Sequence, residues 1–368
     1  MRLEKLNLYN YRNYSEARLE FTGDVVALLG KNGSGKTNLL DAIHYLSLTK
    51  SFLALSDSSN IKTGESVFSI KGTFDKKGTS NEVFCSYQAG SKKIVREDGT
   101  DYSKLSAHIG KYPVVLIAPN DIELIWDGSE VRRKFVDGLI SQINPAYLDH
   151  LIVYTNYLKM RNAALKQFAE RGRADEVLLE TYNTKLEASG DFIFKTRSDF
   201  MLQLRPSLIR NYQFIADSVT EDPGLEYKSD LQGNAMQKLL KENLQRDMIL
   251  QRTTAGIHRD DFVFQLNGQE LKRYGSQGQQ KSFLIGLKLA EFEIISEQKG
   301  FKPIILLDDI FDKLDDDRIA KLIELVTENK FGQIFITDAR PERAEELLSL
   351  IDLKRQTFMV EEGTLTEL

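Results

Sequence analysis

The stretch Gly30-Lys31-Asn32-Gly33-Ser34-Gly35-Lys36-Thr37 meets every fixed position of the pattern G-x-x-x-x-G-K-[ST], and it constrains the fold more than any other part of the chain. Val25, Val26, Ala27, Leu28 and Leu29 precede it as a short apolar run, the mark of a strand buried on both faces. Leu39, Leu40, Ile43 and Leu46 follow at helical spacing. Strand, glycine-rich loop and helix in this order aim the loop N–H groups and the positive end of a helix at one anion. The stretch is read as a cradle for nucleotide phosphates, with Lys36 as its point charge.

A second signal lies far downstream. Pro303-Ile304-Ile305-Leu306-Leu307 runs into Asp308-Asp309. An apolar strand ending in two acids beside a phosphate loop assigns them different work. Asp308 is expected to hold Mg²⁺ together with the Thr37 hydroxyl, and Asp309, one residue on, to orient or deprotonate the attacking water. Asp309 and Lys36 are thus the candidate catalytic residues. Ahead of this strand, Tyr274-Gly275-Ser276-Gln277-Gly278-Gln279-Gln280-Lys281 leads into a helix whose apolar positions include Phe283, Leu287, Ala290 and Ile294.

Between these motifs the chain changes character. Residues up to about 120 read as β-rich around the one helix, with runs at Val67 to Phe74, Glu82 to Tyr87, Ile94 to Arg96 and Val114 to Ile117. Ser51 to Gly64 reads as a surface loop. From Trp126 to Ile249 helix formers dominate, punctuated at Gly128, Gly138, Pro145, Gly172, Gly190, Pro206 and Pro223-Gly224, too often for the sustained heptads of a long coiled coil. β-type residues return at Phe262, Phe264 and Leu266, and Asn267-Gly268 suits a tight hairpin. His258-Arg259-Asp260 has the look of a kinase catalytic loop, but Gln265 stands where that loop needs asparagine. Pro119-Asn120-Asp121 is either a loop that senses the γ-phosphate or a plain helix cap.

Composition narrows the function classes. Of 368 residues 41% are hydrophobic, enough for a large core, and 4 His with 1 Cys leave nothing to build a zinc site. The lone Cys85 fits a reducing compartment. Met1 to Lys5 lacks the apolar core of a signal peptide and no run is long enough to span a membrane, so the cytoplasm is expected. With a net charge of -5, any DNA binding has to come from a local basic patch. Arg132 and Arg133 are the first candidates, then Lys50 and Lys62, then the series Lys159, Arg161, Lys166, Arg171 and Arg173.

The order of phosphate loop, serine-glycine-glutamine signature and acidic strand resembles the ABC-type ATPases. Asn10-Tyr11-Arg12-Asn13-Tyr14, Gly256-Ile257-His258-Arg259-Asp260-Asp261, Ser276-Gln277-Gly278-Gln279-Gln280-Lys281 and Leu307-Asp308-Asp309 together make the chain similar to the RecF family of bacterial recombination mediator ATPases, over nearly its whole length. Two positions depart from the family pattern. Ile257 stands where proline is usual, and Asp312-Lys313-Leu314-Asp315 replaces serine-glutamate-leucine-aspartate.

The resemblance implies an α/β fold: a P-loop ABC-type head of mixed sheet and helices, residues 1–125 and 255–368, and a mainly helical lobe, residues 126–254, with no long coiled coil. It implies an ATP- and Mg²⁺-dependent homodimer that binds double-stranded and gapped DNA, hydrolyses ATP slowly, and works with RecO and RecR to load RecA. Arg12 and Asn13 would touch the nucleotide near Gly30 to Thr37, and Ser276, Gln277 and Gly278 would meet the γ-phosphate held by the partner subunit. The rival reading is the nucleotide-binding subunit of an ABC transporter, for which the helical lobe is a poor coupling surface.

Overall fold

The computed structural model describes every residue except 172, 174, 311–313 and 329, together with the side chain of 171. Asp312 and Lys313, one of the two departures from the family pattern, thus lie outside the described residues. By proximity the chain forms two compact units, one of Met1–Asp121, Asn211–Ser218 and Lys281–Leu368, the other of Ile122–Arg210 and Val219–Gln280. Relative to the partition expected from sequence, 255–280 groups with the second unit, because Asp261–Leu266 pairs with Pro223–Lys228.

In the first unit, apolar runs without polar alternation become the parallel centre of a six-stranded sheet. Its order is Thr364–Glu367, Arg355–Glu361, Val25–Leu29, Ile334–Asp338, Ile304–Leu307, Val114–Ile117. Every residue of Val25–Leu29, Ile304–Leu307 and Ile334–Asp338 is buried, as strands covered on both faces require. The five strands from Arg355–Glu361 to Val114–Ile117 are parallel, and only Thr364–Glu367 is antiparallel. A second sheet, antiparallel, runs Tyr14–Glu20, Arg2–Tyr11, Val67–Lys76, Thr79–Gln88, Ile94–Glu97, Thr100–Asp101. Alternating burial along Val67–Lys76 shows one face packed and one solvated. The helix Lys36–Leu48 contacts both sheets, and its Leu39, Ile43 and Leu46 join their core.

The second unit is mainly helical. Pro145–Arg171 and Glu176–Ala216 run antiparallel: Tyr147 reaches Arg197, His150 stacks on Phe192 at 4.1 Å, and Arg161 reaches Asn183. At about 1.5 Å rise per residue the shorter helix spans roughly 40 Å, so this is a stub of a hairpin and not a long arm. Three expected breaks are absent, the first at Gly138 inside the helix Ser129–Ile143. Glu176–Ala216 continues through Gly190, whose missing side chain lets Tyr154 approach, and through Pro206. Leu204 and Leu208, both fully buried, flank that proline, and tertiary packing outweighs its lost hydrogen bond. The hairpin at Asn267-Gly268 forms as read, with both residues at positive φ.

The His258-Arg259-Asp260-Asp261 motif is a structural hub. Asp260 accepts from Arg197 at 2.6 Å and from the Tyr227 hydroxyl, while Arg197 also pairs with Asp137 at 2.8 Å. Asp261 takes a two-point bond from Arg132, and Arg133 donates to the Asp260 carbonyl. Arg132 and Arg133, the leading DNA candidates, are therefore committed to internal bonds, and Arg161 is fully buried against Asp247. Lys159, Lys166 and Arg173 remain exposed.

Candidate functional site

The phosphate loop leaves the carboxyl end of Val25–Leu29 and enters Lys36–Leu48 at Gly35. Two of its glycines are enforced by close approach as well as by positive φ. A Cβ on Gly30 would stand 2.3 Å from the Val360 carbonyl oxygen, and one on Gly35 2.5 Å from Asn13 Nδ2. Lys31, Asn32 and Gly33 form the exposed rim and Ser34 is buried. Lys36 Nζ donates to the carbonyls of Gly30 and Lys31 at 2.6 and 2.9 Å, so the ammonium lies inside the curl of the loop. Burial pulls its pKa down, and the charges of Asp309, Asp308 and Asp338 oppose that pull.

Thr37 Oγ1 donates to Asp308 Oδ1 at 2.8 Å, and the Thr337 hydroxyl donates to the same oxygen at 2.8 Å. The two residues that the spacing assigned to Mg²⁺ are thus in contact across 271 positions of chain. A carboxylate and a hydroxyl oxygen are the hard donors Mg²⁺ takes, with phosphate and water completing its shell. Burial raises the Asp308 pKa, and the two threonine hydroxyls oppose the rise. Asp309 has its backbone in the left-handed region, φ 47°, with its N–H on Thr337 Oγ1, and its Oδ1 is buried without a partner among the described residues.

The Asn10–Tyr14 motif braces this cradle. Asn13 Nδ2 donates to the Ser34 carbonyl at 3.0 Å, Asn38 donates to Asn13 Oδ1, and the Tyr14 hydroxyl donates to the Gly35 carbonyl. Arg12 is at positive φ and is bonded to Asp41 and Ser51. Asp41, fully buried on the phosphate-loop helix, also accepts from Tyr11, Ser51 and the Phe52 N–H. It was not found from sequence, because a carboxylate on an amphipathic helix carries no spacing signal. Asp338 was missed too, although it ends the apolar run Ile334-Phe335-Ile336 much as Asp308 ends its own.

Asp121 closes its turn by accepting from the Ala118 N–H and pairs with the buried Lys288, while Asn120 is exposed. Lys62 donates to the Asn13 carbonyl and so serves the cradle. In the second unit, Ser276 and Gln279 form a reciprocal cap: Ser276 Oγ accepts from the Gln279 N–H, and Gln279 Oε1 accepts from the Ser276 N–H. Gln277 and Gly278 begin the 23-residue helix, so their N–H groups lie in its bond-free first turn. Asp315 likewise caps Asp316–Thr327. Among the described residues no cluster of three or more His, Cys, Asp or Glu could hold a metal by itself, and no helix is long and apolar enough to cross a membrane.

Comparison with known proteins gives a consistent result. The family described as "RecF/RecN/SMC N terminal domain" matches residues 2–363. A Flavobacterium johnsoniae protein named "DNA replication and repair protein RecF" is 44% identical over 360 residues, covering 98% of this chain and 99% of its own. Its namesake from Cytophaga hutchinsonii is 41% identical over 363 residues, covering 99% and 96%. Among solved structures, "the recombination mediator protein RecF-ATP in RecFOR pathway" aligns over 100% of this chain and 97% of its own, with TM-score 0.90 and 30% identity. A Pyrococcus furiosus Smc head domain, at 15% identity and TM-score 0.56, shares the fold.

Proposed function

The chain belongs to the RecF family, and from that premise we propose that it is an ATP-dependent recombination mediator of DNA replication and repair. The observation that carries the reading is the contact of Thr37 with Asp308 below a loop that encloses Lys36. In the proposed cycle the loop N–H groups and Lys36 bind the β- and γ-phosphates of ATP. Thr37 and Asp308 would hold Mg²⁺, whose charge neutralises the phosphate oxygens. Asp309 accepts a proton from the attacking water through the oxygen that has no partner among the described residues. Gly30, Gly33 and Gly35 shape the loop; Lys31, Asn32 and Ser34 line it; Asn13 braces it through the Ser34 carbonyl, Arg12 is bonded to Asp41 on the helix that follows, and both are proposed to touch the nucleotide beside the loop.

Ser276, Gln277 and Gly278 are proposed to meet the γ-phosphate of a second copy. Two ATP molecules then become interface contacts in a two-fold dimer, and nucleotide binding and dimerisation are linked. In this reading residues 1–125 and 255–368 act as the head and 126–254 as the lobe. The dimer would engage double-stranded and gapped DNA and act with RecO and RecR, in keeping with the pathway that the RecF-ATP structure is named for. Hydrolysis resets it, in the cytoplasm. No observation favours the transporter-subunit reading.

Light scattering with ATP and Mg²⁺ tests the proposal. Wild type should double its mass; Lys36→Ala should stay monomeric and bind no ATP; Ser276→Arg should bind ATP as a monomer. A Ser276→Arg protein that still doubles its mass removes the trans-acting signature.

A further inference from the structure

Three neighbouring parallel strands, Val25–Leu29, Ile334–Asp338 and Ile304–Leu307, end on the same side of the sheet. The outer two lead into the phosphate loop and the Asp308-Asp309 pair. The middle one ends in Asp338, which lies opposite Leu29 and accepts the Gly30 N–H on its carbonyl oxygen. Its neighbour Thr337 bonds to Asp308 Oδ1 and to the Asp309 N–H on the other side. The dipeptide Thr337-Asp338 therefore joins the cradle to the acid pair through hydrogen bonds in both directions.

Asp338 is fully buried. Its Oδ1 accepts the Arg340 N–H at 2.6 Å, which fixes the carboxylate, and its Oδ2 has no partner among the described residues. A buried acceptor without a donor has given up its hydration with no bond in return, so such an atom calls for an explanation. Three such atoms, Asp338 Oδ2, Asp309 Oδ1 and Ser34 Oγ, belong to the ends of these strands or to the loop. Lys36 and Asp309 are also close enough for their charges to act on Asp338.

We propose that Asp338 is a second water-orienting carboxylate, which works with Asp309 on the water that attacks the γ-phosphate. The inference rests on the ATPase reading above and deepens it. Water carries two protons, and a single acceptor leaves it free to swing about one hydrogen bond. With Asp309 Oδ1 on one proton and Asp338 Oδ2 on the other, an oxygen lone pair is turned toward phosphorus. As the new O–P bond forms, the bond from phosphorus to the bridging oxygen breaks and ADP leaves with its electron pair. Asp309 takes one proton and later returns it to solvent; the other stays on the inorganic phosphate, its hydrogen bond to Asp338 kept throughout.

Asp338→Asn tests this, since its amide oxygen can still accept the Arg340 N–H while the second acceptor is lost. The expected result is unchanged ATP affinity and an unchanged ATP-driven dimer, with kcat lower by about tenfold or more. In an Asp309→Asn background the same change should alter the rate less than about twofold, because the two acceptors act on one water. Wild-type hydrolysis by Asp338→Asn overturns the inference alone. Loss of hydrolysis only in step with loss of ATP affinity also overturns it, as that is what a merely structural residue would give. A wild-type protein that binds no ATP overturns the ATPase reading and this inference with it.

Discussion

Glu291 lies buried on the helix Gln277–Lys299, 3.6 Å from Lys288, which in turn pairs with Asp121. Burial is the largest influence on its carboxyl and raises the pKa from 4.5 to about 7, against the pull of Lys288. The folded form therefore binds a proton more readily than the unfolded chain between these values, and stability falls as pH rises through that window. Glu291→Gln removes the ionised form, so its Tm should exceed that of wild type at pH 8 and converge with it below pH 4.5. A constant Tm difference across that range would contradict the assignment. At this scale Lys36, Thr37, Asp308 and Asp309 were legible because phosphate chemistry ties residue type to fixed spacing. Glu291, Asp41 and Asp338 were not, because what sets each apart is its surroundings after folding.

The loop and its flanking elements were legible for a related reason: close approach leaves only glycine at Gly30 and Gly35. The three glycines of the motif are not equal, however. Gly33 has open space around its Cβ position and only its φ of 81° to satisfy, whereas Gly35 would drive a methyl group into Asn13 and Tyr14. Gly33→Ala should cost about 1–2 kcal/mol, the ordinary left-handed penalty, and keep ATP binding. Gly35→Ala should lose ATP binding outright, as read by nucleotide titration. The long helix Glu176–Ala216 was misread as broken, since Gly190 and Pro206 are breakers only where nothing packs against them. Tyr154 beside Gly190 and the buried Leu204 and Leu208 are tertiary facts that no local window holds.

Across the whole molecule a net charge of -5 means that any DNA the protein binds has to be met by a local basic patch. With Arg132, Arg133 and Arg161 held internally, exposed Lys159 and Lys166 are the better candidates, seven positions apart and so on one face of Pro145–Arg171. Changing both to glutamate should weaken gapped-DNA binding and flatten its salt dependence by about two phosphate contacts, leaving ATP affinity alone. Binding with an unaltered salt slope would locate the patch elsewhere. The charged residues could be counted from sequence, but which of them face inward could not. The strand that feeds the phosphate loop has a consequence of another kind. Val25–Leu29 is hydrogen-bonded to Ile334–Asp338 on one side and to Arg355–Met359 on the other. A ribosome adding about 5–20 residues per second would deliver those partners roughly 15–60 s after the glycine loop itself. Through that interval the nascent chain carries the complete phosphate-loop motif without the sheet that shapes it, so the loop gains its native frame only after both partner strands have emerged.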